Sequence, residues 1–361
     1  MRVALDAAPL LNARTGVGHY TGALLEHLEA ADPSLEVTLF AVGRQRDALE
    51  ARHVRRLRVP ARLAASGWDR VPWVPGEALT GRVDVVHGTN FWVPPLRRRN
   101  GVVTIHDLTF LLYPEFCTPP VRRYRWILPK VLARCRVVIT PSATVADQVA
   151  AELGVERVRI VVTPEGVRPG ARVLGSPGGT TSSYVLFIGT QEPRKNLDRL
   201  IRAFAQLRDL DVRLILAGPA GWGGGDPLVL ADSLGIAGRV QTVGYLPDRE
   251  LALLLAGARA FVFPSLYEGF GLPPLEAMAA GVPVVAAAAG SLPEVLGDAP
   301  VWCDPLDVSS IADAVRRVVS DETVRAQAVE RGRAQAARYT WEATAARTID
   351  AYRMVAGLNG V

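Results

Sequence analysis

Glu268 and Glu276 stand eight positions apart around Gly269-Phe270-Gly271-Leu272-Pro273-Pro274. The apolar run Ala260–Phe263 just before them reads as a buried strand. Pro273 and Pro274 suit the first turn of a helix, where a missing N–H costs nothing. A helix start offers unpaired N–H groups and the positive end of a dipole to an anion. Gly269 and Gly271 let backbone approach a ligand without a Cβ in the way. Ser265 and Glu268 fall in the loop and Glu276 in the first turns of the helix, so both carboxylates can face one ligand. Carboxylates accept hydrogen bonds from hydroxyls in fixed geometry. An anion site between two hydroxyl acceptors matches a molecule built from a sugar, a diphosphate and a ribose. The plainer alternative is a helix start whose acidic residues favour its dipole, and Gly-Phe-Gly after a buried strand weighs against it.

Arg194 and Lys195 follow the run Tyr184–Ile188 and Thr190, just before a helix that Asn196 is placed to cap. Cations at a helix start oppose its dipole, so they need another reason to be there. A diphosphate supplies one, gripped by Arg in bidentate fashion and by Lys as a point charge. His106 closes the run Val102–Ile105, at the carboxyl edge of a strand, where open parallel sheets bind ligands. A positioning role, through its ring or its carbonyl, is favoured over that of general base. Asp107 either orients it or caps the next turn. Asp209-Leu210-Asp211 precedes a strand and reads as a solvated turn, and the five histidines show no ligand spacing, so no catalytic metal and no bound cofactor are expected.

Short β-branched runs alternate with helical patterns along the whole chain, the mark of parallel sheets flanked by helices. Strands are expected at Arg2–Leu5, Val37–Ala41, Val83–His87, Val102–Ile105, Val137–Thr140 and Arg159–Val162. Helices are expected at Gly18–Glu29, Val121–Arg134 and Ser142–Leu153. The stretch Arg168–Ser183 is rich in Gly, Pro and Ser without apolar period and reads as a linker. The pattern then restarts, with strands at Tyr184–Ile188, Arg213–Ala217, Val240–Val243, Ala260–Phe263, Val282–Ala286 and Pro300–Cys303. Its helices are Asn196–Leu207, Asp248–Ala256, Pro273–Ala280 and Ser309–Ser320, then Glu322–Ala336 and Trp341–Val355. Gly221–Gly225 reads as a loop. The expected division is a first domain over 1–168, a linker over 169–183, a second domain over 184–338 and a closing helical segment over 339–361.

At 361 residues the chain exceeds one ordinary α/β core and suits two. Residues 1–170 carry 23 Lys and Arg against 16 Asp and Glu, while residues 171–361 carry 18 against 20. A basic first half suits a phosphorylated ligand, an acidic membrane surface or nucleic acid; the expectation here excludes nucleic acid. Arg97-Arg98-Arg99, Arg55-Arg56-Arg58 and Arg122-Arg123-Tyr124-Arg125-Trp126, with Trp68, Trp73 and Trp92 near in sequence, fit either a membrane interface or ordinary surface packing. Cys117, Cys135 and Cys303 form no CxxC, and Met1 leads directly into a strand. A cytoplasmic protein is expected, peripheral at the inner membrane face if the basic domain meets lipid.

The segment Phe263–Ala277 resembles the Glu-x7-Glu signature of the retaining glycosyltransferases of family 4, which have the two-domain GT-B fold. The resemblance extends to Met1–Tyr20, with Asp6 and Thr15-Gly16-Val17-Gly18-His19-Tyr20, to Ile105-His106-Asp107-Leu108, and to Phe187–Asn196. It implies two Rossmann-like domains facing across a cleft, the last helix returning to the first. It implies that Glu276 holds the ribose, and that Glu268, Ser265 and the backbone of Gly269, Phe270, Gly271 and Leu272 meet the sugar and phosphate. Arg194, Lys195 and Thr190 would meet the diphosphate, and His106 would lie by the sugar. Gly16 and Gly18 would close over the donor phosphate or admit the acceptor, with Asp107, His19 and Tyr20 in acceptor or positioning roles. The implied activity is metal-independent, retaining transfer from a nucleotide-diphosphate sugar to a saccharide, lipid-linked or natural-product acceptor. GDP-mannose is the first expectation, because Met1–Tyr20 and His87–Pro95 look most like mannosyltransferase members. The alternatives are an epimerase or phosphorylase, or a non-catalytic nucleotide-sugar-binding protein, on the same fold. An NAD-dependent dehydrogenase is disfavoured, since Gly16-x-Gly18 lacks the third glycine of a dinucleotide fingerprint.

Overall fold

A strand made of a continuous β-branched run is stable only with both faces covered. The computed structural model, which describes residues 1–11, 16–42, 54–57, 76–167 and 183–357, meets that demand twice, with helices packed on two parallel sheets. The chain divides into two units, one of Met1–Gly166 with Trp341–Val361, the other of Val167–Thr340.

The first unit holds β1 (Arg2–Asp6), β2 (Glu36–Val42), β3 (Val54–Leu57), β4 (Val85–Gly88), β5 (Gly101–Thr104), β6 (Cys135–Thr140) and β7 (Ile160–Val162). Their order is β3-β2-β1-β4-β5-β6-β7. On one face, Trp341, Ile349, Tyr352 and Val355 of the helix Trp341–Ala356 are buried with Tyr20 and Leu24 of the helix Gly16–Ala31, over Val85 and Val102. The second unit holds β8 (Ser183–Ile188), β9 (Val212–Ala217), β10 (Val240–Gly244), β11 (Ala260–Phe263), β12 (Val284–Ala287) and β13 (Val301–Cys303), in the order β10-β9-β8-β11-β12-β13. Strand order reverses between β1 and β4, and again between β8 and β11. At such a point the loops leaving the carboxyl ends diverge and open a crevice for a ligand.

Local chemistry sets the helix ends. Ser142 Oγ accepts the N–H of Val145, and Asp321 Oδ1 accepts those of Thr323 and Val324. The helix expected over Val121–Arg134 is two pieces, Pro119–Arg122 and Tyr124–Arg134, because bonds from Arg123 to Pro120 and from Trp126 to Arg123 tighten the join to an i,i+3 turn. The elements absent from the sequence expectation include β3, the short helices Glu77–Thr80, Thr109–Leu112 and Leu292–Leu296, and the helix Pro227–Ser233 capped by Asp226. Asn196 does not cap with its side chain. Its backbone is left-handed and its amide donates to the carbonyls of Pro264 and Pro305, tying the two carboxyl-edge loops together. Residues 168–182 of the expected linker, together with Thr15, Arg58, Trp68 and Trp73, lie outside the described residues.

Candidate active site

In the second unit the loops after β8 and β11 flank the reversal point. The first turns tightly over Pro193–Lys195 and the second runs from Pro264 to Gly271 before the helix Leu272–Ala279. The N–H of Leu266 donates to the Arg194 carbonyl, which pins one loop to the other. Arg194 then spans both. Its Nη1 donates to Glu268 Oε2 at 2.6 Å and to the Tyr267 carbonyl at 2.8 Å, and its Nη2 to Glu192 Oε1 at 2.6 Å. Lys195 Nζ donates to Glu268 Oε1 at 2.6 Å and lies 4.7 Å from the centre of the Phe263 ring. Each oxygen of Glu268 thus meets a different cation.

Glu268 and Lys195 are both buried, and their charges persist only because they share them. Burial pushes the Glu268 carboxyl up, but Arg194 and Lys195 more than offset it and hold the group at about 2. Burial pulls Lys195 down, and the neighbouring Arg194 adds to this while Glu268 opposes it. Ser265, fully buried, lies beside the same carboxylate. Arg194 and Lys195, expected to face a diphosphate, are held by Glu192 and Glu268.

Two further residues set Glu268. The N–H and Oγ of Ser291 both donate to its carbonyl at 3.0 Å. Gly290, at φ +57°, sits so close that a Cβ would lie 2.4 Å from the Glu268 carbonyl oxygen, so no side chain fits. Neither residue was singled out from the sequence, although Gly-Ser-Leu-Pro after an apolar run is a turn-and-helix signal. Gly271, at φ +107°, would place a Cβ 2.5 Å from Leu292; the fold itself requires this glycine, whatever approaches its backbone. Phe270 is buried edge-on to Tyr339, so only its backbone is available to a ligand. Glu276 is buried in the helix that follows. Thr190, half-buried, begins the β8 loop.

In the first unit His106 follows β5. Its Nε2 donates to the Thr89 carbonyl at 2.9 Å, and its Nδ1 faces Glu165 Oε1 at 3.2 Å. Burial alone would lower its pKa; the hydrogen bond and charge of Glu165 reverse this, aided by Thr89 and Asp107, so it stands above the ordinary value. Glu165 was not noticed in the sequence. Asp107 caps the next turn, its Oδ1 accepting the N–H of Thr109 at 2.8 Å. Tyr20 packs edge-on to the His106 ring at 4.8 Å and is buried, its hydroxyl 3.1 Å from Thr104 Oγ1. The chain continues inward: Thr104 Oγ1 lies 2.8 Å from His87 Nε2, and His87 Nδ1 lies 2.7 Å from the Tyr352 hydroxyl. Burial, with the nearby His106 adding, holds His87 at about 3, and burial raises Asp6, at the end of β1, to about 7. Gly16 and Gly18 are not in a loop: the helix begins at Gly16, two residues earlier than expected, so both glycines and His19 belong to its first turns.

Asp209 of the Asp-x-Asp spacing pairs with Arg316 on an exposed turn. Among the described residues no group of three or more His, Cys, Asp or Glu is placed to hold a metal ion. Nor, among them, is any helix long and apolar enough to cross a membrane.

Two doubly wound sheets, each with a polar cluster at its carboxyl rim, are an architecture whose carboxyl-edge loops hold ligands. Comparison with known proteins makes this specific. Residues 14–170 match the family described as Glycosyltransferase Family 4, and residues 177–335 match that described as Glycosyl transferases group 1. The chain is 33% identical to the O-antigen chain mannosyltransferase B of Escherichia coli, over 98% of this chain and 100% of the relative. Among solved structures it resembles sucrose-phosphate synthase from Thermosynechococcus elongatus (TM-score 0.78, 21% identity, 99% and 100% of the two chains). It also resembles WaaG, a glycosyltransferase involved in lipopolysaccharide biosynthesis (TM-score 0.74, 18% identity, 97% and 99%). The chain belongs to the family 4 glycosyltransferases and is a glycosyltransferase of GT-B fold.

Proposed function

We propose that the protein transfers mannose from GDP-mannose to an acceptor hydroxyl, with retention of configuration and without a metal ion. The carrying observation is the pair of cations, half-buried Arg194 and buried Lys195, converging on Glu268 at the reversal point of the second sheet. Fixed cations there can neutralise a departing diphosphate, the task a metal performs elsewhere. Donor binding would place the diphosphate against them, the ribose hydroxyls on Glu276 and the sugar near Glu268. The acceptor oxygen would then attack the face that the phosphate leaves, and the phosphate oxygen would take its proton. Glu268, tied to two cations, is better suited to holding them and the sugar than to acting as a nucleophile. The choice of mannose rests on the name of the Escherichia coli relative.

The test is a donor panel read by thermal shift, since a ligand that binds only the folded state raises Tm, followed by transfer assays with and without EDTA. GDP-mannose should give the largest shift, the product should keep the anomeric configuration, and EDTA should leave the rate unchanged. A preference for UDP-sugars, an inverted product, or activity restored only by Mg²⁺ would each overturn the corresponding part.

For the acceptor side the proposed partner is a saccharide carried at an acidic membrane surface. Between Glu115 and Asp147 the sequence holds six basic residues and no acidic one. On that stretch Trp126 is 66% exposed, with the Arg125 guanidinium 4.3 Å from its ring centre. An exposed aromatic among arginines suits the interface of an anionic bilayer. Cosedimentation with vesicles containing anionic lipid should exceed that with neutral vesicles, and Trp126→Ala should lower it. Equal binding to both vesicle types would sink this part.

A further inference from the structure

The first sheet presents a histidine whose ring has no free nitrogen. The Thr89 carbonyl can only accept, so His106 Nε2 carries a proton and donates it at 2.9 Å. The other nitrogen, Nδ1, points at a Glu165 oxygen 3.2 Å away, and an ionised carboxylate can likewise only accept. With a carboxylate at Glu165, both partners are satisfied together only by the doubly protonated ring. The ring is further fixed by Tyr20 edge-on at 4.8 Å and by Phe91 edge-on at 6.3 Å. The charged and titratable groups around it are Glu165 from the segment after β7, Asp107 from its own segment, Tyr20 from the helix Gly16–Ala31 and His87 from β4.

We propose that Glu165 is a positioning residue for transfer, holding His106 as an imidazolium with its ring immobilised at the carboxyl end of β5. This rests on the reading of that rim as part of the site of transfer. A ring with protons on both nitrogens has no lone pair with which to accept the acceptor's proton, so His106 serves as a fixed cation and a backbone anchor. When the Nδ1 proton is lost, a lone pair faces the Glu165 carboxylate, the contact becomes repulsive and the segment His106–Leu108 loses its clamp. Activity should therefore hold on the acid side and fall as pH rises through the histidine's pKa.

The measurement is ¹H–¹⁵N correlation of the histidine ring nitrogens across a pH titration of the full chain. The His106 signals are assigned by their loss in His106→Asn. Wild type should keep the imidazolium pattern of His106 to a higher pH than the ordinary histidine midpoint. Glu165→Gln, which preserves shape and can still hydrogen-bond, should lower the midpoint by at least about one pH unit, with Glu165→Asp in between. The alkaline limb of kcat/KM should move by the same amount while KM for the donor changes little. An unmoved midpoint in Glu165→Gln overturns the ion pair. A moved midpoint with an unmoved alkaline limb overturns its role in transfer. A different donor, an inverted product or a metal requirement would defeat the proposed function and leave the ring titration as it is, so the two failures are distinguishable.

Discussion

The two carboxyl rims solve the same problem with different chemistry. At the rim of the second sheet, a guanidinium and an ammonium meet two carboxylates. At the rim of the first, an imidazole meets one carboxylate, and behind it lies a chain of neutral hydroxyl and imidazole groups reaching Tyr352. With Glu268 held at about 2, the carboxylate at the centre of the second cluster stays ionised across the physiological range. The first does not, because histidine titrates near neutrality. A fixed cluster suits a ligand whose charge never changes, such as a diphosphate. A titratable one gives the protein a pH-dependent element, and the comparison predicts that mutations in the two rims will separate cleanly in their readouts.

The largest effect belongs to the second rim. Lys195→Ala removes one of two cations available to a departing phosphate and should cost about 3 kcal/mol of transition-state stabilisation, roughly a hundredfold in kcat/KM. The profile of the residual activity against pH should keep its shape. A loss below about fivefold would mean that the cluster is structural and the diphosphate is neutralised elsewhere.

Next comes a division within that rim. Glu276→Ala should weaken binding of free GDP by about 2 kcal/mol if its carboxylate holds the ribose hydroxyls. Glu268→Gln should leave GDP affinity undiminished, because the charge removed is one that pairs with Arg194 and Lys195 and competes with a diphosphate for them. The same variant should lower stability, since buried Lys195 loses its charged partner and Arg194 is left with Glu192. Calorimetric titration and urea unfolding read the two effects separately. Equal loss of GDP affinity in both variants would refute the division of roles.

The first rim should show itself in stability against pH. His106 has a folded pKa above its unfolded value of about 6.5, so its pairing stabilises the fold fully below that value and the gain fades as pH rises through the folded pKa. Glu165→Gln should therefore cost on the order of 1 kcal/mol in acid and less in alkali. The Lys195 and Glu268 cluster should show no comparable slope near neutrality. Urea unfolding of wild type and Glu165→Gln at two pH values checks this. A difference that stayed constant or grew with pH would reverse the assigned sign.

Much of this was legible in the sequence, for identifiable reasons. Strand positions followed from β-branched runs, and Glu268, Arg194 and His106 were found because each ends or follows such a run. What escaped notice was held by long-range contact. Glu165 lies 59 residues from His106 and carries no motif around it. Gly290 and Ser291 matter only because their loop packs on Glu268. Asn196 looked like a cap from its place before a helix, yet its amide nitrogen donates to two carbonyls of distant loops and its Oδ1 accepts from Arg199 rather than from a local N–H. The start of the helix at Gly16 was misplaced because glycine is a poor helix former, and there burial of Tyr20, Leu24 and Leu28 on the sheet overrides propensity.

The smallest expected effect tests whether the two rims are independent. Tyr352 and His87 are fully buried, and their 2.7 Å contact ties the helix Trp341–Ala356 to β4. His87 is neutral, since burial holds it at about 3, so one ring nitrogen accepts and the other donates. Thr104 Oγ1 and the Tyr352 hydroxyl occupy the two positions, and Tyr20 extends the chain from Thr104 toward His106. Tyr352→Phe keeps the ring packing and deletes one hydroxyl, leaving His87 Nδ1 buried without a partner. A buried polar atom stranded in this way costs about 1 kcal/mol, or a Tm lower by about 3 °C. The effect should be confined to the first unit: GDP affinity, which the proposed function assigns to Arg194, Lys195 and Glu276, should not change, while the ring titration of His106 should shift only slightly. Because Phe cannot restore the contact but His87→Gln offers an amide of similar reach, that second variant should lose less than His87→Ala. If Tyr352→Phe weakened GDP binding as much as it lowered Tm, the two rims would be energetically coupled, and the separation of a fixed donor cluster from a titratable acceptor-side cluster would fail.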